Sequence, residues 1–297
     1  MPLITNDIDS NMKRIIAILI TISLCCIAWG QAQINTKSVK ISDFTQKTTK
    51  IVLTGNDFFD ASLKDEIAAV WHISPYEFCT LEEFKTLKTD ERYYFLLTTK
   101  GKFKNEKEAG LQFFTLVKGG KAAEVSIDKM LEIVSMPFAS AEEPTGREHI
   151  FLRAFLNIIQ NFTLDAMEKD TNAYGGLGYY NMDIFKTSKM GIIFAKNDLS
   201  EEITEQVKEK YFNKDVLVID ENYADSFVTD GQEGILVSYV AVPTDPVPGA
   251  YCYKMLIDSG THRLYYFKKH KISKKLGSGF LLDDIRLITM KREKTVE

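Results

Sequence analysis

The chain has 297 residues, of which 45% are hydrophobic and 26% are charged, so it can form one large domain or two ordinary ones. Lysine and arginine total 37 against 41 for aspartate and glutamate, which gives a net charge of -4. This balance lacks the overall positive charge that marks nucleic-acid-binding proteins. No nucleic-acid partner is therefore predicted.

Residues 12–32 have the pattern of a signal peptide. Residues 12–14 include a lysine and an arginine, residues 15–28 form a largely apolar run, and the small residues Gly30 and Ala32 follow. A membrane-spanning helix needs about 20 apolar residues, so this shorter run predicts cleavage and no transmembrane span in the mature chain. We expect an exported protein of the periplasm or the cell surface.

The four cysteines fall into two pairs. Cys25 and Cys26 lie in the signal peptide, and the residues before them lack the small residue of a lipoprotein signal, so no lipid anchor is expected. Cys79 and Cys252 belong to the exported part, where an oxidising compartment allows a disulfide. Two separate buried thiols on strands are the favoured alternative, because free cysteine behaves as a small buried hydrophobic residue.

Strands and helices alternate along the first half of the chain, after an extended lead-in at residues 33–50. The segment IVLTG at residues 51–55 predicts a strand, and the apolar residues after it recur at helical spacing. A second strand ends at Cys79, and Thr80 with Glu83 forms a capping box that opens a second helix. Two further strands follow, YYFLLTTKG and LQFFTLVKGG.

The same order of elements recurs in the second half. The segment IIFAKND at residues 192–198 parallels IVLTGND at residues 51–57, and Gly260 stands 141 residues after Gly119. Six elements that match at nearly constant spacing indicate an internal repeat.

Each copy ends in a predicted helix, the first opened by a capping box of Thr145 and Glu148 and the second by Ser278. The predicted fold class is α/β, with two tandem related units that each contain a small mixed sheet in the order β-α-β-α-β-β-α. The first unit is predicted at residues 51–176 and the second at residues 177–297.

The second copy resembles a family of envelope modules. Its strand ILVSYVAVP and the segment that ends in Leu256-Ile257-Asp258-Ser-Gly-Thr261 are similar to the closing hairpin of the TolB N-terminal domain. Related modules occur in curli-secretion and penicillin-binding-protein-activator lipoproteins. The first copy has Val117-Lys118-Gly119-Gly120 in place of the Asp-x-x-Thr-Gly piece.

Those modules bind other proteins and have no catalytic residues, so the resemblance implies a role in binding or assembly with an envelope protein partner. The whole chain also resembles the uncharacterised exported proteins common in Bacteroidota, a likeness that implies no particular function.

Catalytic motifs are scarce in this sequence. The four histidines stand outside any HExxH or HxH pattern, so no metal site is predicted. No Gly-x-Ser-x-Gly elbow and no GxGxxG loop is present, and no cofactor is predicted. His149 beside Glu148 is the most site-like pair, although Glu148 is already expected to act as a cap partner.

Two turns are the candidate ligand-binding positions, Asn56 with Asp57 and Asn197 with Asp198. Ligands of α/β folds gather at the carboxyl ends of strands, where both turns are expected. Asparagine and aspartate are also the preferred N-cap residues of helices. We favour caps for both turns.

A second candidate is a basic patch near the end of the last strand, formed by Lys268, Lys269, Lys271, Lys274 and Lys275. It could bind an anionic partner such as a lipid head group or an acidic glycan. The favoured alternative is a solvated strand end whose charges prevent edge pairing with another sheet.

These features predict an exported, non-enzymatic binding or assembly protein of the bacterial cell envelope. One alternative is a hydrolase or transferase that acts on an envelope glycan or nucleotide. It requires acidic residues that converge between the units, such as Asp57 with Asp198, or Glu142 and Glu143 with His149. A second alternative is a small-ligand binder hinged near Gly175. No oligomeric state is predicted.

Overall fold

A computed structural model describes residues 36–102, 106 and 108–293 of the chain. Its first five strands form sheet A, in the order β2-β1-β3-β4-β5. The strands are β1 (Thr48–Val52), β2 (Tyr76–Cys79), β3 (Tyr93–Gly101), β4 (Leu111–Lys118) and β5 (Leu131–Ser140). β1 runs parallel to β2 and β3, whereas the pairs β3–β4 and β4–β5 are antiparallel.

Sheet B repeats this plan with the order β10-β9-β8-β6-β7. Its strands are β6 (Gly191–Ala195), β7 (Val216–Ile219), β8 (Ile235–Ala241), β9 (Tyr251–Asp258) and β10 (Leu264–Lys271). β6 is parallel to β7 and β8, and the other pairs are antiparallel. The predicted α/β class with two mixed sheets is confirmed, and each sheet has one antiparallel strand more than the predicted order.

Nine α-helices accompany the sheets in the described part of the chain. They are α1 (Lys37–Lys40), α2 (Asp57–Val70), α3 (Leu81–Leu87), α4 (Arg147–Ile150), α5 (Leu152–Glu168), α6 (Asp170–Gly175), α7 (Glu205–Tyr211), α8 (Glu221–Asp230) and α9 (Leu282–Glu293). The predicted capping box of Thr80 and Glu83 opens α3. The predicted boundary at Gly176 falls where α6 ends.

The directions of the crossovers determine which face of the sheet each helix covers. α2 leads from β1 to β2 on one side of β1, and α3 leads back to β3 on its other side. Because such crossovers are right-handed, the two helices must lie on opposite faces. Leu63 of α2 and Phe84 of α3 accordingly belong to separate buried clusters. In the second unit, Val207 of α7 and Val228 of α8 are separated in the same way.

The two units share one core around α5, the long helix of the first unit. Phe155 of α5 contacts Phe138 of sheet A and Tyr239 of sheet B, with ring centroids 6.5 and 5.1 Å apart. The resulting layers are α3, sheet A, a central layer with α2, α5 and α8, sheet B, and α7 with α9. α5 buries most of its residues between the two sheets and keeps one exposed stripe that includes Arg153, Asn161 and Glu168.

Glycines at equivalent places support the predicted repeat. A Cβ atom at Gly119 would lie 2.2 Å from the carbonyl oxygen of Asp90, and one at Gly260 would lie 2.7 Å from the backbone nitrogen of Glu233. Each glycine follows the fourth strand of its unit and meets the backbone that leads into the third strand. Only a residue without a side chain permits this close approach.

The segment before β1 differs from the predicted extended lead-in. Its described residues contain α1 and a short 3₁₀ helix (Phe44–Gln46), and β1 already begins at Thr48. Ile41 and Phe44 are fully buried. The polar composition suggested an extended segment because these two apolar residues are too few to produce a visible periodicity. The signal-peptide prediction lies outside the described residues.

Candidate functional site

A pocket of about 380 Å³ opens at the carboxyl edge of sheet A. β1, β3 and β5 all end at this edge, because β4 is antiparallel to both of its neighbours. We call this cavity the edge pocket. Its apolar lining consists of Val52, Leu53, Phe59, Leu81, Leu97, Phe138, Ala139 and Pro144, and its polar lining of Thr54, Asn56, Thr98, Lys100, Gln112, Glu148 and His149.

The turn after β1 forms one wall of the edge pocket and caps α2. Asn56 Oδ1 accepts hydrogen bonds from the backbone N–H groups of Phe58 and Phe59, both at 3.1 Å. The carboxylate of Asp60 accepts from the N–H groups of Thr54 at 2.8 Å and Gly55 at 2.9 Å. These bonds satisfy N–H groups at the helix start, so the predicted cap is confirmed for Asn56.

Asp57 has a smaller part in this turn. It is exposed in the first turn of α2, where a negative charge is favourable toward the helix dipole. It does not line the edge pocket.

The short helix α4 forms the opposite wall. Glu148 is 3% exposed, and its carboxylate accepts from the N–H of Gly146 at 3.0 Å and lies 3.5 Å from the hydroxyl of Thr145. The two side chains are in contact, but the predicted capping box is wrong, because Gly146 and not Thr145 is the N-cap of α4 and its cap has no side-chain hydrogen bond. The ring of His149 packs against Phe58, with centroids 5.0 Å apart.

Two polar atoms of the edge pocket are buried without a hydrogen-bond partner among the described residues, namely Thr98 Oγ1 and His149 Nδ1. A buried polar group without a partner typically costs about 1–3 kcal/mol of stability. Such a cost is tolerated where a ligand supplies the missing partner. These two atoms are the strongest structural indication of a binding site in the described part of the chain.

The carboxyl edge of sheet B is built differently. Asp198 is 3% exposed in a short 3₁₀ helix after β6, and α7 begins later, with Thr204 as its N-cap. The predicted cap is therefore wrong for Asp198. The prediction failed because the chain makes an extra turn between β6 and its helix, whereas β1 leads almost directly into α2. Asn197 is exposed.

Asp198 instead belongs to a buried ion cluster around Arg147 of α4, which we call the Arg147 cluster. Arg147 Nη1 lies 2.9 Å from Asp198 Oδ1, and Arg147 Nη2 lies 2.8 Å from Asp225 Oδ1 of α8. Ser238 of β8 donates its hydroxyl to Asp198 Oδ2 at 2.6 Å, and Glu221 approaches Arg147 to 3.4 Å. The first unit thereby fills the strand ends of the second.

Three carboxylates around one guanidinium leave an excess of negative charge. Burial raises the pKa of Asp225 and of Glu221, and the neighbouring carboxylate of Asp198 raises both further. Burial by itself would lower the pKa of Arg147, but Asp198 and Asp225 raise it above its ordinary value. Arg147 therefore stays positively charged, and this charge offsets the negative charge of the buried carboxylates around it.

The acids that a catalytic reading requires do not converge. Asp57 lies in the exposed turn of α2 and Asp198 in the buried Arg147 cluster. Glu142 and Glu143 are exposed and do not line the edge pocket, although His149 does. Neither set of residues that the enzymatic alternative requires is therefore brought together.

The predicted lysine patch is divided between two faces of β10 and the loop after it. Lys268 Nζ lies 2.9 Å from Asp284 on the outer face. Lys269 and Lys271 alternate to the other face, where their ammonium groups lie 5.0 and 5.5 Å from the ring centroid of Tyr251. Lys274 and Lys275 are exposed in the loop, so the five lysines do not form one continuous surface.

Cys79 and Cys252 are separate buried thiols, as the favoured interpretation predicted. Burial raises the pKa of each thiol to about 11, so neither forms the thiolate that a nucleophile requires at neutral pH. Within residues 36–102, 106 and 108–293, no group of three or more His, Cys, Asp and Glu side chains is placed to hold a metal ion.

Sequence reasoning missed the most important residues of both edges. Arg147 occupies the first turn of a helix, where a cation is unfavourable toward the helix dipole. That position was the one available sign that a buried acid holds its side chain. Thr98 carries no such sign, because a threonine in a strand is ordinary.

Comparison with protein-family models, curated proteins and solved structures found no match for this chain. The resemblance to the TolB N-terminal module therefore stays a hypothesis. Among the described helices, none is both long and apolar enough to cross a membrane.

Proposed function

We propose that this chain is an exported, non-enzymatic binding protein of the cell envelope, and that the edge pocket is its ligand site. The observation that carries the proposal is the pair of unpartnered buried atoms, Thr98 Oγ1 and His149 Nδ1, in a largely apolar cavity. Apolar walls with a few convergent polar groups at the carboxyl ends of strands are the usual form of a small-molecule site.

Binding is favoured over catalysis by the state of the polar groups. A general base needs a partner that orients it, and His149 Nδ1 has none among the described residues. The carboxylate of Glu148 is held by the backbone of its own helix start, where it acts as a cap partner.

A ligand clamp hinged at Gly175 is disfavoured by the shared core. Phe155 packs against side chains of both sheets, so opening the two units would expose the central helix. The edge pocket lies within the first unit and needs no such motion.

The export part of the proposal depends on residues 12–32. We expect the protein in the cell-envelope fraction to have been cleaved after Gly30 or Ala32, with an N-terminus at Gln31 or Gln33 by mass spectrometry. An unprocessed chain in the cytoplasmic fraction would contradict export without affecting the edge pocket.

The binding site can be tested by native mass spectrometry of the protein isolated from its own cells. We expect a bound small molecule on the wild type and its loss in Thr98→Trp, which fills the cavity. Thr86→Trp, on the exposed face of α3, is the matched control and should retain it. A wild type without bound mass, or a Thr98→Trp variant that keeps it, would contradict the proposal.

A further inference from the structure

We infer that the ligand of the edge pocket is a small carboxylic acid with a hydrocarbon body, such as a medium-chain fatty acid. This inference depends on the proposed function and adds to it the chemical class of the ligand. It follows from which polar groups of the cavity are already engaged and which are left for a ligand.

The walls accept a hydrocarbon body. Val52 and Leu97 from two neighbouring strands, with Phe59 and Phe138, present apolar surface to the cavity. Outside the lining, Phe58 is 73% exposed and packs on His149, so it adds aromatic surface beside one lining residue. A volume of about 380 Å³ is near the lower end of small-molecule sites, which suits one chain or ring system.

Two acceptor groups that line the cavity are engaged by the protein itself. Asn56 Oδ1 already accepts from two backbone N–H groups, and the Glu148 carboxylate accepts from the N–H of Gly146. A ligand that donates hydrogen bonds would therefore find these oxygens occupied. The amide NH₂ of Asn56, by contrast, is a donor and suits a ligand that accepts hydrogen bonds.

Two of the remaining groups can donate to an anion. Thr98 and Lys100 are two residues apart on β3, so their side chains lie on the same face of the strand. The Thr98 hydroxyl has no partner among the described residues, and the Lys100 ammonium has a weak contact of 3.5 Å with the Ala141 carbonyl. A carboxylate can accept from both, and the positive charge of Lys100 strengthens such a bond.

The experiment is isothermal titration calorimetry of the mature protein with decanoate, 1-decanol and decylammonium, which share a chain and differ in head group. We expect decanoate to bind about ten-fold more tightly than the other two, because charge-assisted hydrogen bonds are stronger than neutral ones. Lys100→Gln should lower the decanoate affinity about ten-fold and leave the decanol affinity unchanged. Lys100→Arg should restore most of the decanoate affinity.

Lys121→Gln, at an exposed lysine outside the pocket, is the matched control and should bind decanoate like the wild type. Equal affinity for all three probes, or no effect of Lys100→Gln, would overturn the carboxylate class while the edge pocket remains a binding site. If the wild type binds none of the probes, the inference is overturned. The proposed function then fails separately only if native mass spectrometry also shows no bound molecule.

Discussion

The carboxyl edges of sheets A and B are formed by equivalent strands, but one edge is an open cavity and the other is filled by side chains. At sheet A the edge is an open pocket in which Thr98 and His149 keep unpartnered polar atoms, as judged over the described residues. At sheet B the corresponding edge is filled by Arg147, whose guanidinium is paired with Asp198 and Asp225. The same place in the fold is an open cavity in one unit, which we propose as a ligand site, and is filled by a contact between the units in the other.

The helix α4 connects these two environments. Its successive residues point to different sides: Arg147 reaches the edge of sheet B, while Glu148 and His149 line the edge pocket of sheet A. The buried ion cluster therefore fixes the wall of the pocket as well as the contact between the units. Three pairs of substitutions test this contrast.

The largest effect is expected from Arg147→Met. It leaves the buried carboxylates of Asp198 and Asp225 without a counter-charge, so we expect a loss of about 3–5 kcal/mol in the free energy of unfolding, measured by urea denaturation. Arg153→Met is the matched control. Its ion pair with Glu66 is partly exposed, and its loss should cost less than about 1 kcal/mol. Similar costs for both variants would show that the Arg147 cluster is not the anchor between the units.

A smaller contrast is expected between the two aspartates of the Asn-Asp turns. Asp198→Ala removes one partner of Arg147 and the acceptor of the Ser238 O–H, but Asp225 still pairs with the arginine, so the expected cost is about 2 kcal/mol. Asp57→Ala should cost about 0.5 kcal/mol, because its favourable interaction with the helix dipole is exposed to solvent. Thermal denaturation of both variants measures the difference. Equal costs would restore the interpretation of the two turns as equivalent caps.

The smallest effect, and the one with opposite signs, compares two threonines of sheet A. Thr98→Val removes an unpartnered hydroxyl and should stabilise the unliganded protein by up to about 1 kcal/mol. Thr115→Val removes a hydroxyl that lies 2.8 Å from Thr99 Oγ1 and 3.1 Å from Ser135 Oγ, so it should destabilise by about 1 kcal/mol or more. Chemical denaturation without added ligand measures both. A destabilised Thr98→Val would indicate that its hydroxyl is satisfied in solution and would weaken the case for a ligand.

Several elements could be predicted because their signals are local. The capping box of Thr80 and Glu83, the cap at Asn56 and the strands with continuous apolar runs all arise from neighbouring residues. The fifth strand of sheet A was missed. Its residues include Pro137, which argues against a central strand, and β5 tolerates a proline because it lies at the edge of the sheet.

The similarity between IVLTGND and IIFAKND predicted the repeated fold correctly, but it wrongly suggested that the two turns after the strands have the same role. Ile51 packs in the cluster that contains α2, and Ile192 packs in the cluster that contains α7, so the two strands present equivalent faces. Beyond the strands, the structures of the two copies of the repeat differ within a few residues. Asn56 caps a helix, whereas Asp198 forms an ion pair with Arg147, which is 51 residues away in the sequence.

The sequence by itself determined the two mixed sheets and the order of most of their elements, because periodicity, caps and turns depend on residues close together in the chain. Only the tertiary structure decided that the first unit fills the strand ends of the second and leaves its own open. Arg147 and Asp225 are 78 residues apart, and a local sequence pattern relates only residues that are much closer together in the chain. The pairing of buried charges depends on how the sheets stack on α5, and that stacking decides which edge is free to bind a ligand.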